Sequence, residues 1–155
     1  MKNINDKKQL LVSAIESGTV IDHIPASSLF KVIKILGLDR IRNQITFGTN
    51  LESKTSGKKA IIKIAGKFFE DDDINRIALV APNAKLNIIK DYKVVEKRVV
   101  AVPDTITGIA KCMNPKCITN FESVTTRFRV VSKKPVALKC HYCEKITDQE
   151  RIEII

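Results

Sequence analysis

Two short cysteine pairs constrain this chain more than any other feature. Cys112-Met113-Asn114-Pro115-Lys116-Cys117 and Cys140-His141-Tyr142-Cys143 are separated by 22 residues. Each spacing lets one tight turn present two thiolates to a single ion, and two such turns complete a tetrahedron. Disulfides and free core cysteines are the alternatives. The N-terminus, MKNINDKKQL, is polar and carries no apolar leader, and no run is long enough to cross a bilayer. A soluble, cytoplasmic protein is therefore expected, with no membrane partner. In that reducing compartment the cysteines read as metal ligands, and zinc is the ion that fits four thiolates. Saturated coordination leaves no position for an activated water, which makes the expected site structural and argues against a zinc hydrolase. His141 stands between two ligands and is expected to point outward.

All four cysteines lie after residue 110, which divides the 155 residues unevenly. Ala101-Val102-Pro103-Asp104 reads as a linker, since proline cannot donate to a strand ladder. Residues 1–102 can bury a core unaided, whereas 103–155 are few enough to need a metal staple. No internal repeat and no low-complexity tract is present.

Strand and helix patterns alternate through the first part. Gln9 to Ile15 and Thr19 to Ile24 are extended apolar runs flanking Gly18. Ser27 and Ser28 offer a helix N-cap before Leu29, Val32, Ile33 and Leu36, and Gly37 is a stop. Ile45, Phe47, Thr49 and Leu51 alternate with polar or small residues, which predicts a strand with one buried face. A polar turn leads to a strand over Lys59 to Ala65. Asp71, Asp72 and Asp73 open a second helix with the stripe Ile74, Ile77, Ala78, Ala81, and Pro82 ends it. Lys85 to Val100 reads as one long strand with a phase break at Lys90-Asp91. The order predicts an α+β chain: a ferredoxin-like split βαβ sandwich with two helices on one face of an antiparallel sheet, then a small antiparallel zinc-ribbon-like part. In that second part, Val124 to Val131 alternates as a strand.

The charge is +10, from 27 basic and 17 acidic residues, which favours an anionic partner. Period 2 turns Ala60, Ile62 and Ile64 toward the helices and Lys59, Ile61 and Lys63 away from them. Such a face suits a base against Ile61 and phosphates against the ammonium groups, or it is simply solvated, as surface lysines usually are. A basic sheet joined to a zinc ribbon also fits an RNA-binding protein. RNA-binding sheets of this topology, however, present stacking aromatics where this strand carries Lys and Ile. Asp22 and His23, in a strand ending at Pro25, are suited to ribose hydroxyls and phosphate. No Ser or Cys is placed to make a catalytic triad with them.

The motif GTVIDHIPA at 18–26, the strand Lys59 to Ile64, the stretch Asn87-Ile88-Ile89 through Tyr92 to Val94-Val95-Glu96-Lys97, the Cys112–Cys117 loop and Leu138-Lys139-Cys140-His141-Tyr142-Cys143-Glu144-Lys145 occur in one order. Together they resemble the regulatory chain of aspartate carbamoyltransferase over almost the whole length. The resemblance implies a non-catalytic, nucleotide-sensing part at 1–102 that binds CTP as inhibitor, with UTP assisting, and ATP as competing activator. It implies a zinc-binding part at 103–155 that docks on the catalytic chain, pairing of regulatory chains through their N-terminal parts, and no nucleic-acid partner. Carried onto this sequence, Val12, Ala14 and Ile15 line the base, with backbone near Ile15 and Tyr92 reading its exocyclic amine. Asp22 and Lys63 hold the ribose and base edge. His23, Val94 and Lys97 meet the phosphates, and Lys59 adds a further contact. Val20, Ile61, Asn87 and Ile89 complete the wall. Cys112, Cys117, Cys140 and Cys143 match the zinc ligands, and Asn114, Tyr142 and Glu144 face the catalytic chain. Ser13 and Lys116 depart from the family's usual residues.

Overall fold

The computed structural model describes residues 14–54 and 57–155. Strand β1 (Gly18–Pro25) is followed by a 3-10 turn and helix α1 (Leu29–Ile35). Strands β2 (Ile45–Ser53) and β3 (Gly57–Ala65), helix α2 (Asp71–Ile77), and strands β4 (Lys85–Lys90) and β5 (Lys93–Val99) complete the first part. The five strands form one antiparallel sheet in the order β2-β3-β1-β4-β5. Ile21, Ile24, Ala60, Ile62, Ile64 and Leu86 bury their side chains against Leu29 and Val32 of α1 and Ile74 and Ile77 of α2. Both helices therefore cover one face, as the alternation in β3 requires, and the other face is left for a ligand or a second chain.

Beyond residues 100–103, which form no regular element, β6 (Thr105–Thr107), β7 (Arg127–Lys133), β8 (Val136–Cys140) and β9 (Ile146–Asp148) make a second antiparallel sheet in chain order. Ile106, Phe128, Leu138 and Ile152 form its core beside the cysteines. Among the described residues no helix is long and apolar enough to span a membrane.

Several expectations need correction in detail. Of the run Gln9 to Ile15, residues 9–13, including Val12, lie outside the described residues, and Ala14 and Ile15 form no strand. The run 85–100 is not one strand but a hairpin. Lys90 pairs with Lys93 across Asp91 and Tyr92, whose φ values of 52° and 64° both suit a two-residue primed turn. Ser28 occupies the N-cap of α1 but makes no side-chain capping bond, because the preceding 3-10 turn already leads into the helix. Phe47 lies opposite the fully buried Ile62 yet is 46% exposed, because β2 is an edge strand reaching past the helical cover. It meets Phe30 edge-on at 6.3 Å instead. The strand expected over 124–131 starts only at Arg127 and runs on to Lys133, though its alternation holds: Thr126 and Phe128 are buried, Arg127 and Arg129 exposed.

Gly18 opens β1 at φ 140°, where a Cβ would collide with the Ile64 carbonyl oxygen on the paired strand. Neither backbone can yield, since both belong to the sheet. Gly18→Ala is expected to cost about 2–3 kcal/mol, read as a lowered urea midpoint with an unchanged slope.

Candidate functional site: a metal centre and a basic sheet face

The four cysteines converge. Their Sγ atoms all lie within 4.8 Å of one another, with Cys112–Cys143 at 3.6 Å and Cys117–Cys140 at 3.7 Å. A disulfide needs about 2.05 Å. A tetrahedron of thiolates about 2.3 Å from a central ion has edges of about 3.8 Å, so the separations match a shared metal. Local chemistry builds each turn. The Asn114 side-chain oxygen accepts from the Lys116 amide at 3.0 Å, and its carbonyl accepts from the Cys117 amide at 3.0 Å. The Asn120 amide then straps the loop by donating to the carbonyls of Asn114 (2.7 Å) and Cys112 (3.2 Å). The second turn closes through Glu144, whose left-handed φ of 63° lets its amide donate to the Cys140 carbonyl at 3.0 Å.

Burial pushes the Cys112 and Cys140 thiols up from their ordinary pKa. At Cys143 burial acts the same way. It is outweighed there by the Lys145 amide, the Asn114 side chain and the Cys112 and Cys140 thiols, which bring the pKa down to about 7. Crowded, buried thiols that resist ionisation are uncomfortable alone, and a dication reverses this by binding the thiolates directly. The donor set thus fits a structural metal held by Cys112, Cys117, Cys140 and Cys143. His141 is exposed and takes no part in the cluster.

The face of the larger sheet turned away from the helices carries the other expected residues. Cross-strand pairing aligns Thr46, Lys63, Val20, Asn87 and Lys97 in one row across all five strands. Directly paired residues share a face, so two lysines stand either side of a neutral floor of Val20 and Asn87. Ile61 follows Lys63 on the same side of β3, and Ile89 follows Asn87 on β4 with Val94 opposite it. Burial lowers the Lys63 pKa, an effect that the charge of Asp22 partly offsets.

Asp22 and His23 sit in a bulge, where the β1–β3 register shifts between Ile21 and Ile24 and His23 takes φ 60°. Lys59 donates to Asp22 at 3.0 Å, and the His23 amide donates to the same carboxylate oxygen at 2.7 Å. The imidazole Nδ1 lies 3.6 Å from the other oxygen, is buried, and has no hydrogen-bond partner. Lys59 is therefore an ion-pair partner of Asp22, a role that the spacing alone did not reveal.

Ala14, Ile15 and Tyr92 come together around a cavity of about 430 Å³ that Thr46 also lines. The Tyr92 amide donates to the Glu16 carbonyl at 2.9 Å, which ties the β4–β5 turn to the start of the described chain. Thr46, Gln44 and Glu16 were not anticipated, because their place depends on strand register and not on local pattern. Of the expected interface residues, Tyr142 donates to the Thr125 carbonyl at 3.3 Å and stacks edge-on with His141. Asn114 is committed largely to the metal loop.

The chain matches two family models: aspartate carbamoyltransferase regulatory chain, allosteric domain, over residues 10–101, and the metal binding domain of the same chain over 104–153. Curated relatives agree. It is 56% identical to the aspartate carbamoyltransferase regulatory chain of Parabacteroides distasonis, over 96% of both chains. For the protein of that name from Bacteroides fragilis the identity is 56%, over 97% of this chain and 98% of the relative. For that of Pyrococcus horikoshii it is 54%, over 93% and 96%.

Removing the metal tests the centre. Chelation is expected to release one ion per chain and to unfold 103–155, because such sites contribute on the order of 10–16 kcal/mol in apparent terms. Cys117→Ser should lose the ion outright. Metal content by atomic absorption, followed together with circular dichroism, reads both outcomes, and a chelated chain that keeps its fold would contradict the assignment.

Proposed function

Since the chain belongs to the aspartate carbamoyltransferase regulatory-chain family along both of its parts, we propose that it is the allosteric arm of that enzyme, binding CTP as inhibitor, with UTP assisting, and ATP as competing activator. A regulatory chain performs no carbamoyl transfer itself. In this reading 1–102 sense the nucleotide, 103–155 fold around one zinc ion and dock on the catalytic chain, and two copies pair through their N-terminal parts in a cytoplasmic hetero-oligomer.

The observation that carries the reading is the row Thr46–Lys63–Val20–Asn87–Lys97. Lys63 and Lys97 are three strand spacings apart, about 14 Å, so a nucleoside triphosphate can lie across the sheet between them. Lys97 meets the phosphates, and Val20, Ile61 and Ile89 offer apolar surface to the base and sugar. Asn87 and Lys63 supply polar contacts along the base edge and ribose. Asp22, held by Lys59, is placed for a ribose hydroxyl. The His23 imidazole, partly exposed at the bulge, is placed to meet a phosphate oxygen. Backbone of Ile15 and Tyr92, at the cavity beside Thr46, supports reading of an exocyclic amine.

A nucleotide shifts the catalytic chains only through its differential affinity for two quaternary states. Couplings of about 1–3 kcal/mol are typical, and a purine and a pyrimidine sharing one floor need differ by no more than that.

Lys63→Ala and Lys97→Ala should each weaken CTP binding about tenfold or more, the scale of a lost charge-assisted bond. Zinc content and assembly should stay intact, and unchanged affinity by calorimetry would count against the pocket. The pH dependence follows from Lys63. Burial holds its pKa below the usual lysine range, and a ribose or base oxygen that accepts from its ammonium group favours the charged form. CTP affinity is therefore expected to fall as pH rises through that pKa, and the fall should be smaller in Lys63→Ala.

A further inference from the structure

The cavity of about 430 Å³ at the end of the larger sheet has two unlike sides. Ile15 and Tyr92 stand at one, Gln44 and Thr46 at the other, and Ala65 and Gly66 lie between them. The floor therefore carries almost no side chain, and a flat ring can rest on it. Gln44 is fixed in place by its backbone. Its carbonyl accepts from the Ala65 amide at 2.9 Å, and the preceding Asn43 donates its side-chain amide to the Ala65 carbonyl at 2.9 Å. Gln44 thus extends the β2 ladder by one residue. Alternation puts its side chain on the face of Thr46, which lies opposite Lys63. That side-chain amide is exposed and forms no hydrogen bond among the described residues. It offers a donor and an acceptor side by side.

We propose that Gln44 is a specificity-determining residue, which reads the purine effector through a pair of hydrogen bonds that the pyrimidine cannot complete. The inference rests on the nucleotide-sensing function proposed above and names what ranks two effectors in one cavity. Triphosphate and ribose are common to both nucleotides, so Lys63, Lys97 and Asp22 cannot make this choice. The bases can. Adenine carries an acceptor at N7 beside its N6 amine, and a glutamine amide matches both, donating to N7 and accepting from N6. The amine has two hydrogens. One can go to backbone near Ile15 and Tyr92 while the other goes to Gln44, since all three residues line the same cavity. Cytosine carries an amine at N4, but a C5–H stands where adenine has N7. The pyrimidine therefore keeps at most the bond from its amine. The Gln44 donor then stays in water, at little cost for an exposed group.

Calorimetry on the full-length chain, at one fixed salt concentration, tests this with ATP, CTP and 7-deaza-ATP, in which carbon replaces the N7 acceptor. Wild type should bind ATP about tenfold more tightly than 7-deaza-ATP, toward the low end of what a paired contact to a base edge discriminates. Gln44→Ala should weaken ATP about tenfold, keep CTP within about threefold, and no longer distinguish ATP from 7-deaza-ATP, because the variant and the analogue remove the same bond. Gln44→Glu should also lose that distinction, since a carboxylate accepts from the amine of either base but cannot donate to N7. Metal content and Tm of both variants should match wild type, which separates lost reading from misfolding. The comparison of ATP with its analogue in wild type needs no variant at all. Equal losses of ATP and CTP in Gln44→Ala, or equal affinity of wild type for ATP and 7-deaza-ATP, overturns the inference and leaves nucleotide sensing standing. If wild type binds neither ATP nor CTP, the proposed function falls, and the inference with it.

Discussion

Strand β1 is the constraint on which the larger sheet depends. It is the middle strand, with β3 bonded along one edge and β4 along the other, so both halves of the sheet are held through it. Its first residue must be glycine-sized, because the Ile64 carbonyl oxygen occupies the space a Cβ would need. Thr19 is fully buried and spends its hydroxyl on the Lys67 carbonyl at 2.7 Å, so that hydroxyl is not left unpaired. Farther along, the bulge forces His23 into a left-handed conformation that costs a non-glycine residue about 1–3 kcal/mol. That strain falls on the residues that meet Lys59 and border the basic face. One strand therefore fixes the fold, supplies Val20 to the floor of the row, and distorts where it carries its polar side chains.

The smaller part solves a different problem. Its apolar core is short, with Ile106, Phe128, Leu138 and Ile152 among its few large fully buried side chains. The cysteines stand in for the missing core, and the loops around them are over-determined. Asn114 and Asn120 each take part in three hydrogen bonds around the first turn, and the Thr119 hydroxyl donates to the Cys117 sulfur at 3.2 Å. A metal-bound thiolate that accepts such a bond is held in orientation as well as in charge.

The two parts meet through the end of the chain. Ile154 pairs with Ala110, the Lys111 amide donates to the Glu153 carbonyl at 2.9 Å, and Lys34 of α1 donates its ammonium group to the Ile154 carbonyl at 2.9 Å. Helix α1, packed on the larger sheet, is thus bonded to the segment that bridges Ala110, just before the first cysteine turn. This junction joins the two parts through a small number of directional bonds.

Cysteine spacing, hydrophobic period and the GTVIDHIPA motif made much legible from the sequence alone: an α+β chain, a closed thiolate site, helices over Ala60, Ile62 and Ile64, and lysines on the opposite face. Those readings succeeded because each depends on residues close together along the chain, where backbone geometry fixes direction. Tertiary structure decided the rest. Strand register put Lys97, Asn87, Val20, Lys63 and Thr46 in one line, gave Lys59 to Asp22, and set Arg129 against Lys139. Edge position, not composition, exposed Phe47. A primed turn with two positive φ values, stabilised by the bond from Tyr92 to Glu16, divided the run 85–100. Each of these outcomes is a pairing between distant segments, and a period of two cannot encode which residue of another strand it will face.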